Sequence, residues 1–209
     1  VDKEGYLLRT GLREIAKVHK GDMRLSSNQN IIIAGVDAEE KITIDTLIEK
    51  YGIAGNQKRS AARLNSMACV ALPTCGLSLA ESERYLPSLM NDIEEILDEV
   101  GLTQDAITIR MTGCPNGCAR PYIAEIAFVG RAPGKYNIRV GGGFTGNRIG
   151  GIWKRSVKGD EIADLLRPVL TRYSTERKVG ESFGDFVIRV GIIHEVTHGS
   201  EVHKEHESV

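Results

Sequence analysis

Cys69-Val70-Ala71-Leu72-Pro73-Thr74-Cys75 and Thr112-Gly113-Cys114-Pro115-Asn116-Gly117-Cys118 hold all four cysteines of the chain. The first pair has five residues between its thiols, the second has three, and 38 residues separate the pairs. Four cysteines in 209 residues are too few for a small disulfide scaffold. From pairing alone three readings stand: two disulfides or four inert buried thiols, a four-thiolate zinc site, or an iron–sulfur cluster. Spacing shifts the balance toward the cluster. Zinc pairs leave two to four residues between ligands and form a tight knuckle, whereas a cubane accepts wider loops. Pro115, Asn116 and Gly117 are turn formers, and a bend there points thiolates and backbone N–H groups at one anionic object.

The regions around the pairs set the fold class. Ile107 to Met111 alternates apolar and polar residues, reads as a strand, and delivers the chain into the second pair. Residues 123–129 and 136–140 read as two more strands, joined through Gly130 to Gly134. Ser78 to Val100 reads as the clearest helix, with Leu86, Leu89, Met90, Ile93, Ile96, Leu97 and Val100 on one face and Gly101 as its stop. Residues 160–177 read as a helix that Pro168 kinks or splits, and 186–190 as a last strand. The glycine-rich stretches 141–143 and 146–151 read as a flexible or closely packed segment. Upstream, residues 6–18 and 43–51 read as helices flanking an extended run from Met23 to Ala34. Residues 52–65 form a soft boundary, and the polar end from His194 a disordered tail. The four tail histidines read as solvated, and His19 as a helix-end residue. The mixture predicts an α+β protein.

Composition excludes other classes. Apolar residues make up 41% and charged residues 26%, which excludes disorder of the whole chain. A net charge of −1 argues against nucleic acid or a membrane surface as a partner held by bulk positive charge. Runs such as Ile31 to Ala34 are far shorter than the roughly 18 residues of a spanning helix. The polar start Val1-Asp2-Lys3-Glu4-Gly5 is unlike a secretory signal, so a cytoplasmic, reducing compartment is expected; the missing initiator Met suggests a trimmed or partial chain.

The cysteine text resembles the signature of the sulfite and nitrite reductase family. The likeness runs through Ser66-Met67-Ala68-Cys69, Pro73-Thr74-Cys75, Thr112 to Cys118, Ala124-Glu125, Val129 to Asn137 and Gly184-Asp185-Phe186, and covers about residues 6–193. Within the family it is greatest to the C-terminal half of the siroheme-carrying subunit of assimilatory, NADPH-dependent sulfite reductases. The resemblance implies a small ferredoxin-like half-domain over 1–57 and a larger mixed α/β domain over 58–193, with 194–209 as the tail. It implies a [4Fe-4S] cluster on Cys69, Cys75, Cys114 and Cys118, with Cys118 also the axial bridge to siroheme. It puts Asn116, Arg24 and Gln29 against the siroheme, and sulfite as the substrate of a six-electron reduction to sulfide. An NADPH-oxidising flavoprotein subunit is the implied electron donor. The family's sulfite-gripping Arg and Lys residues lie mostly in a first half that this chain lacks, so no catalytic residue is assigned. The chain alone is therefore expected to be inactive. A siroheme nitrite reductase of the same family and a non-redox zinc module are the alternatives. Arg110, Arg120, Arg131, Lys135 and Arg148 crowd the second cysteine pair, and each taken singly reads as a surface charge.

Overall fold

A computed structural model describes residues 2–53 and 59–204, and divides the chain into two compact units, 1–59 and 60–209. The expected boundary between 57 and 58 lies outside the described residues.

The first unit runs α1 (Leu8–Val18), β1 (Asp22–Leu25), β2 (Ile31–Ala34) and α2 (Ala38–Lys50). The two strands form an antiparallel hairpin with Asp22 opposite Ala34 and Leu25 opposite Ile31. Sequence reading made one extended run of this region. The turn between the strands is built by the Ser26 hydroxyl, which accepts from the N–H groups of Asn28 and Asn30, and by Gln29 in the left-handed region at φ 63°. Ile15 of α1 and Ile44 of α2 are buried. His19 does cap α1, and its ring is buried with Nδ1 3.4 Å from Glu40 Oε2.

The second unit is built on a five-stranded sheet in the order β3-β4-β5-β6-β7: β3 (Ser66–Ala68), β4 (Ile109–Thr112), β5 (Ile126–Ala132), β6 (Lys135–Val140) and β7 (Gly151–Lys158). β3, β4 and β5 are parallel; β5, β6 and β7 are antiparallel. The short α3 (Ala61–Leu64) leads into β3, and α4 (Leu86–Glu99) returns the chain to β4. α5 (Ile162–Glu176) follows β7, and α6 (Phe183–Arg189) follows α5. Ile93, Ile96 and Leu97 of α4, Leu166 and Leu170 of α5 and Phe183 and Phe186 of α6 share one core with Ile126, Phe128, Ile138 and Trp153 of the sheet.

Three expectations need correction, and two others are resolved. Residues 78–85 precede the helix rather than open it: α4 starts at Leu86, with Pro87 in its first turn, where a missing N–H costs no bond. Of the two outcomes expected at Pro168, a kink or a split, the split is not realised: α5 runs unbroken from Ile162 to Glu176. The glycine segment is closely packed, a Cβ on Gly142 standing 2.1 Å from the Ala124 carbonyl, and it leads into a strand that sequence reading did not assign, β7, whose Ile152, Trp153 and Val157 are buried. The last expected strand is the helix α6: the Ser182 hydroxyl accepts from the Asp185 N–H at 3.3 Å, a cap that favours a helix over a strand for Phe183, Phe186 and Val187. The tail read as disordered follows a defined course to Lys204, with a short 3-10 turn at Gly199–Glu201; residues 205–209 lie outside the described residues.

Two carboxylates hold α6. Glu125 is fully buried before β5 and accepts from the Thr108 N–H and the Gly184 N–H, each at 2.9 Å. Burial raises its carboxyl above the usual range, against the opposing pull of those hydrogen bonds. Glu181 accepts a two-pronged contact from Arg189, which lowers its pKa to about 2.

Glu125→Ala leaves two buried N–H groups without an acceptor, so urea denaturation is expected to show a loss of about 3 kcal/mol, with Glu125→Gln losing less. The Glu181 pair acts in the opposite pH sense. Its folded pKa lies below the ordinary value of about 4.3, so its contribution is present above that pH and is lost as pH falls toward 2. Acid unfolding of Glu181→Gln is expected to be less steep over that window than that of the parent chain.

Candidate metal centre

The cysteines are gathered by parallel pairing. Ala68 of β3 stands opposite Met111 of β4, so the two strands end side by side, and Cys69 and Cys114 follow within two residues of their ends. The Cys69 N–H extends the ladder by donating to the Met111 carbonyl at 3.1 Å. Ser82, fully buried, donates its hydroxyl to the same carbonyl at 2.7 Å.

Gly113 joins the two loops. Its carbonyl accepts from the N–H groups of Leu79 and Ala80 at 2.8 and 3.0 Å, and its own N–H donates to Cys69 Sγ at 3.3 Å. An N–H aimed at a cysteine sulfur is one of the levers by which proteins stabilise and tune a sulfur-ligated centre. A Cβ on Gly113 would stand 1.9 Å from Ser78 Oγ and 2.5 Å from the Ala80 carbonyl. One on Gly130, across in β5, would stand 2.3 Å from the Gly113 carbonyl. Both glycines are required by close approach of backbone to backbone.

Each loop is folded on itself. The Cys75 N–H donates to the Ala71 carbonyl at 2.7 Å, and the Gly117 N–H to the Cys114 carbonyl at 3.4 Å. Ala71 takes φ 50° while almost fully buried. None of the four thiols forms a disulfide; Cys114 is buried, Cys69 and Cys75 are half-buried, and Cys118 is exposed. Asn116 is exposed at the tip between the last two. Among the described residues, no three His, Cys, Asp or Glu side chains are grouped as a single metal ion requires. Four thiols free of disulfides thus stand on two loops joined at Gly113, with an N–H on one sulfur.

The remaining predicted site residues lie in the first unit. Arg24 is on β1, exposed, with Nη2 3.0 Å from Asp22 Oδ2, and Gln29 is in the β1–β2 turn. The two share one hairpin.

The arginines around the second pair differ from the surface charges that were expected. Arg110 is buried in β4, where Nη1 donates to the Arg120 carbonyl at 3.1 Å and burial lowers its pKa. Arg148 is largely buried, donating to the Gly141 carbonyl at 2.8 Å with Asp185 also 2.8 Å away. Arg131 and Lys135 are exposed, as read. Sequence reasoning missed Thr112, whose buried hydroxyl has no hydrogen-bond partner among the described residues, and Arg139, buried in β6. Alternating strand patterns single out neither.

Comparison with known proteins agrees with this geometry. A family model described as the nitrite and sulphite reductase 4Fe-4S domain matches residues 60–196, and one described as the nitrite/sulfite reductase ferredoxin-like half domain matches 8–53. Sulfite reductase [NADPH] hemoprotein beta-components from Staphylococcus epidermidis and Geobacillus thermodenitrificans are each 58% identical over 202 residues, covering 97% of this chain and 35% of the relative. The solved structure of Mycobacterium tuberculosis NirA protein matches with a TM-score of 0.68 and 27% identity, over 86% of this chain and 35% of that one. The chain thus spans about a third of the length of these relatives.

Gly113→Ala is expected to force the two loops apart. We expect a loss of about 2–4 kcal/mol in thermal or urea unfolding, and a fall of at least half in the iron retained after anaerobic reconstitution.

Proposed function

This chain belongs to the nitrite and sulfite reductase family, and on that premise we propose that it is the part of a sulfite reductase that holds a [4Fe-4S] cluster and one side of a siroheme site. The observation that carries the reading is the joining of the two cysteine loops at Gly113, beyond the ends of two parallel strands. In it, Cys69, Cys75, Cys114 and Cys118 hold the cluster. Cys118, the exposed thiol of the four, is the one that would also hold the siroheme. The family resemblance adds Asn116, Arg24 and Gln29 as residues that would hold siroheme; a guanidinium suits the carboxylates of that macrocycle. When bound, the two groups supply electrons for sulfite reduction, in which six electrons and seven protons yield hydrosulfide and three waters. The chain's own residues position and insulate: the Gly113 N–H steadies the Cys69 sulfur, and Ser82 holds the end of β4.

The reading includes a companion. The β1–β2 sheet exposes Leu25, Ile31 and Ile32, with Leu25 82% exposed, and Leu77, two residues past Cys75, is 71% exposed. Apolar surface of this kind calls for cover. The relatives are about three times as long, which supports an N-terminal half as that cover and as the source of substrate-gripping residues. The name NADPH on the relatives supports a flavoprotein donor and sulfite over nitrite, and free thiols accord with a reducing cytoplasm.

Reconstitution with iron and sulfide under anaerobic conditions tests the reading. A brown chain carrying four irons and four acid-labile sulfides is expected, with Cys75→Ser and Cys114→Ser each losing most of the visible absorption. A colourless chain that takes up one zinc instead would sink the reading. Reduced, siroheme-supplied chain is expected to release no sulfide from sulfite until a first-half polypeptide is added.

A further inference from the structure

Among the described residues of the second unit, the buried serine and threonine side chains are Ser60, Ser82, Thr108 and Thr112. Three of these hydroxyls are bonded. Ser60 donates to Glu94 Oε1 at 2.6 Å, Ser82 to the Met111 carbonyl at 2.7 Å and Thr108 to Glu125 Oε2 at 3.3 Å. Thr112 is 0% exposed, and its hydroxyl has no hydrogen-bond partner among the described residues. Burying a hydroxyl without a partner is costly, and a valine of the same outline would stand opposite Val129 of β5 without that cost. The fold itself gives the hydroxyl no task.

The place of Thr112 supplies one. Ala68 of β3 stands opposite Met111 of β4, and the Cys69 N–H carries the ladder onward by donating to the Met111 carbonyl. Cys69 and Thr112 are thus the next pair in register, and paired residues of adjacent strands share a face of the sheet. The peptide that follows Thr112 carries the Gly113 N–H, which lies 3.3 Å from Cys69 Sγ. Cys114 is two residues further on. A buried O–H donor therefore stands between two of the four thiol positions, beside an N–H already directed at one of them. Thiolates and inorganic sulfides are anionic acceptors, and donors to such sulfurs stabilise and tune the centre they belong to.

We propose, resting on the reading of the four cysteines as cluster ligands, that the Thr112 hydroxyl donates a hydrogen bond to a sulfur at the Cys69 corner of the cluster. It joins the Gly113 N–H there as a second donor. A donor on sulfur favours the form with more negative charge, so the hydroxyl stabilises the reduced cluster relative to the oxidised one. The bond exists only in the loaded chain, which separates this role from an ordinary part in the fold.

The whole chain and its Thr112→Val and Thr112→Ser variants are compared unloaded and after anaerobic reconstitution with iron and sulfide. Unloaded, Thr112→Val is expected to unfold at the parent's temperature or above it, because a methyl group replaces an unpaired hydroxyl. Loaded, it is expected to shift the reduction equilibrium about tenfold toward the oxidised cluster, a midpoint about 59 mV lower for one electron, read by redox titration of the visible absorption. Thr112→Ser keeps the donor and is expected to return at least half of that shift. Loss of the cluster from Thr112→Val with retention in Thr112→Ser supports the proposal equally, whereas loss from both overturns it. A Thr112→Val midpoint equal to the parent's overturns the proposal and leaves the cluster reading standing. An unloaded Thr112→Val that unfolds several degrees lower overturns it too, since the hydroxyl then has a partner within the protein. A shift that arises only after siroheme is added assigns the hydrogen bond to the macrocycle and overturns it as well. A parent chain that takes up no iron–sulfur cluster removes both the proposal and the reading beneath it.

Discussion

The geometry of the second unit depends on one residue without a side chain. Gly113 gives its carbonyl to Leu79 and Ala80 and its N–H to Cys69 Sγ, so both cysteine loops are held by the same peptide units. Nothing larger than hydrogen fits there, because Ser78, Ala80 and Ala71 already occupy the space. Gly130 extends the constraint into β5, whose backbone packs against the Gly113 carbonyl. Two glycines thus let three stretches of backbone approach more closely than any side chain would allow.

Around this point the protein places its charges by the same rule. Arg110 and Arg139 are buried and bonded to main-chain carbonyls, and Arg148 bonds one carbonyl and stands beside Asp185. Such bonds brace loops that lack regular ladders: Arg139 ties β6 to the end of the β6–β7 connection and to the segment after the last helix. Glu125 does the converse, accepting backbone N–H groups from the approach to β4 and from α6. Buried ionic groups here work as connectors between distant parts of the chain, an arrangement stable only where each has its polar partners.

Much of the fold was legible from period alone. The apolar face of α4, the alternation leading into β4 and the α1 stripe are local patterns, and they fold as local patterns. The misreadings occur where local signals conflict. Phe186 to Val190 is rich in strand formers, yet Ser182 caps a helix and Phe183 and Phe186 bury on one side of it. The glycines before Ile152 hide β7, since a strand whose start is Gly151 has little pattern until Trp153 and Val157 are seen to face the core. Serines and asparagines between β1 and β2 mark a turn that a continuous β-branched run obscures. In the site, the thiols and their spacing were visible, because ligand chemistry is carried by residue type. Thr112, Ser82, Arg139 and the role of Gly113 were not, because each acts through partners distant in sequence.

The sequence by itself determined the four thiols and their spacing, the turn-forming text of the second pair, the α+β class and the family resemblance, since all of these reside in residue identity and short-range order. Tertiary structure decided that the loops meet, which thiol stays exposed, and that several arginines leave the surface. The reason is physical: parallel pairing of β3 with β4 spans about forty residues, and the contacts it creates are set by register and packing, which no local pattern encodes.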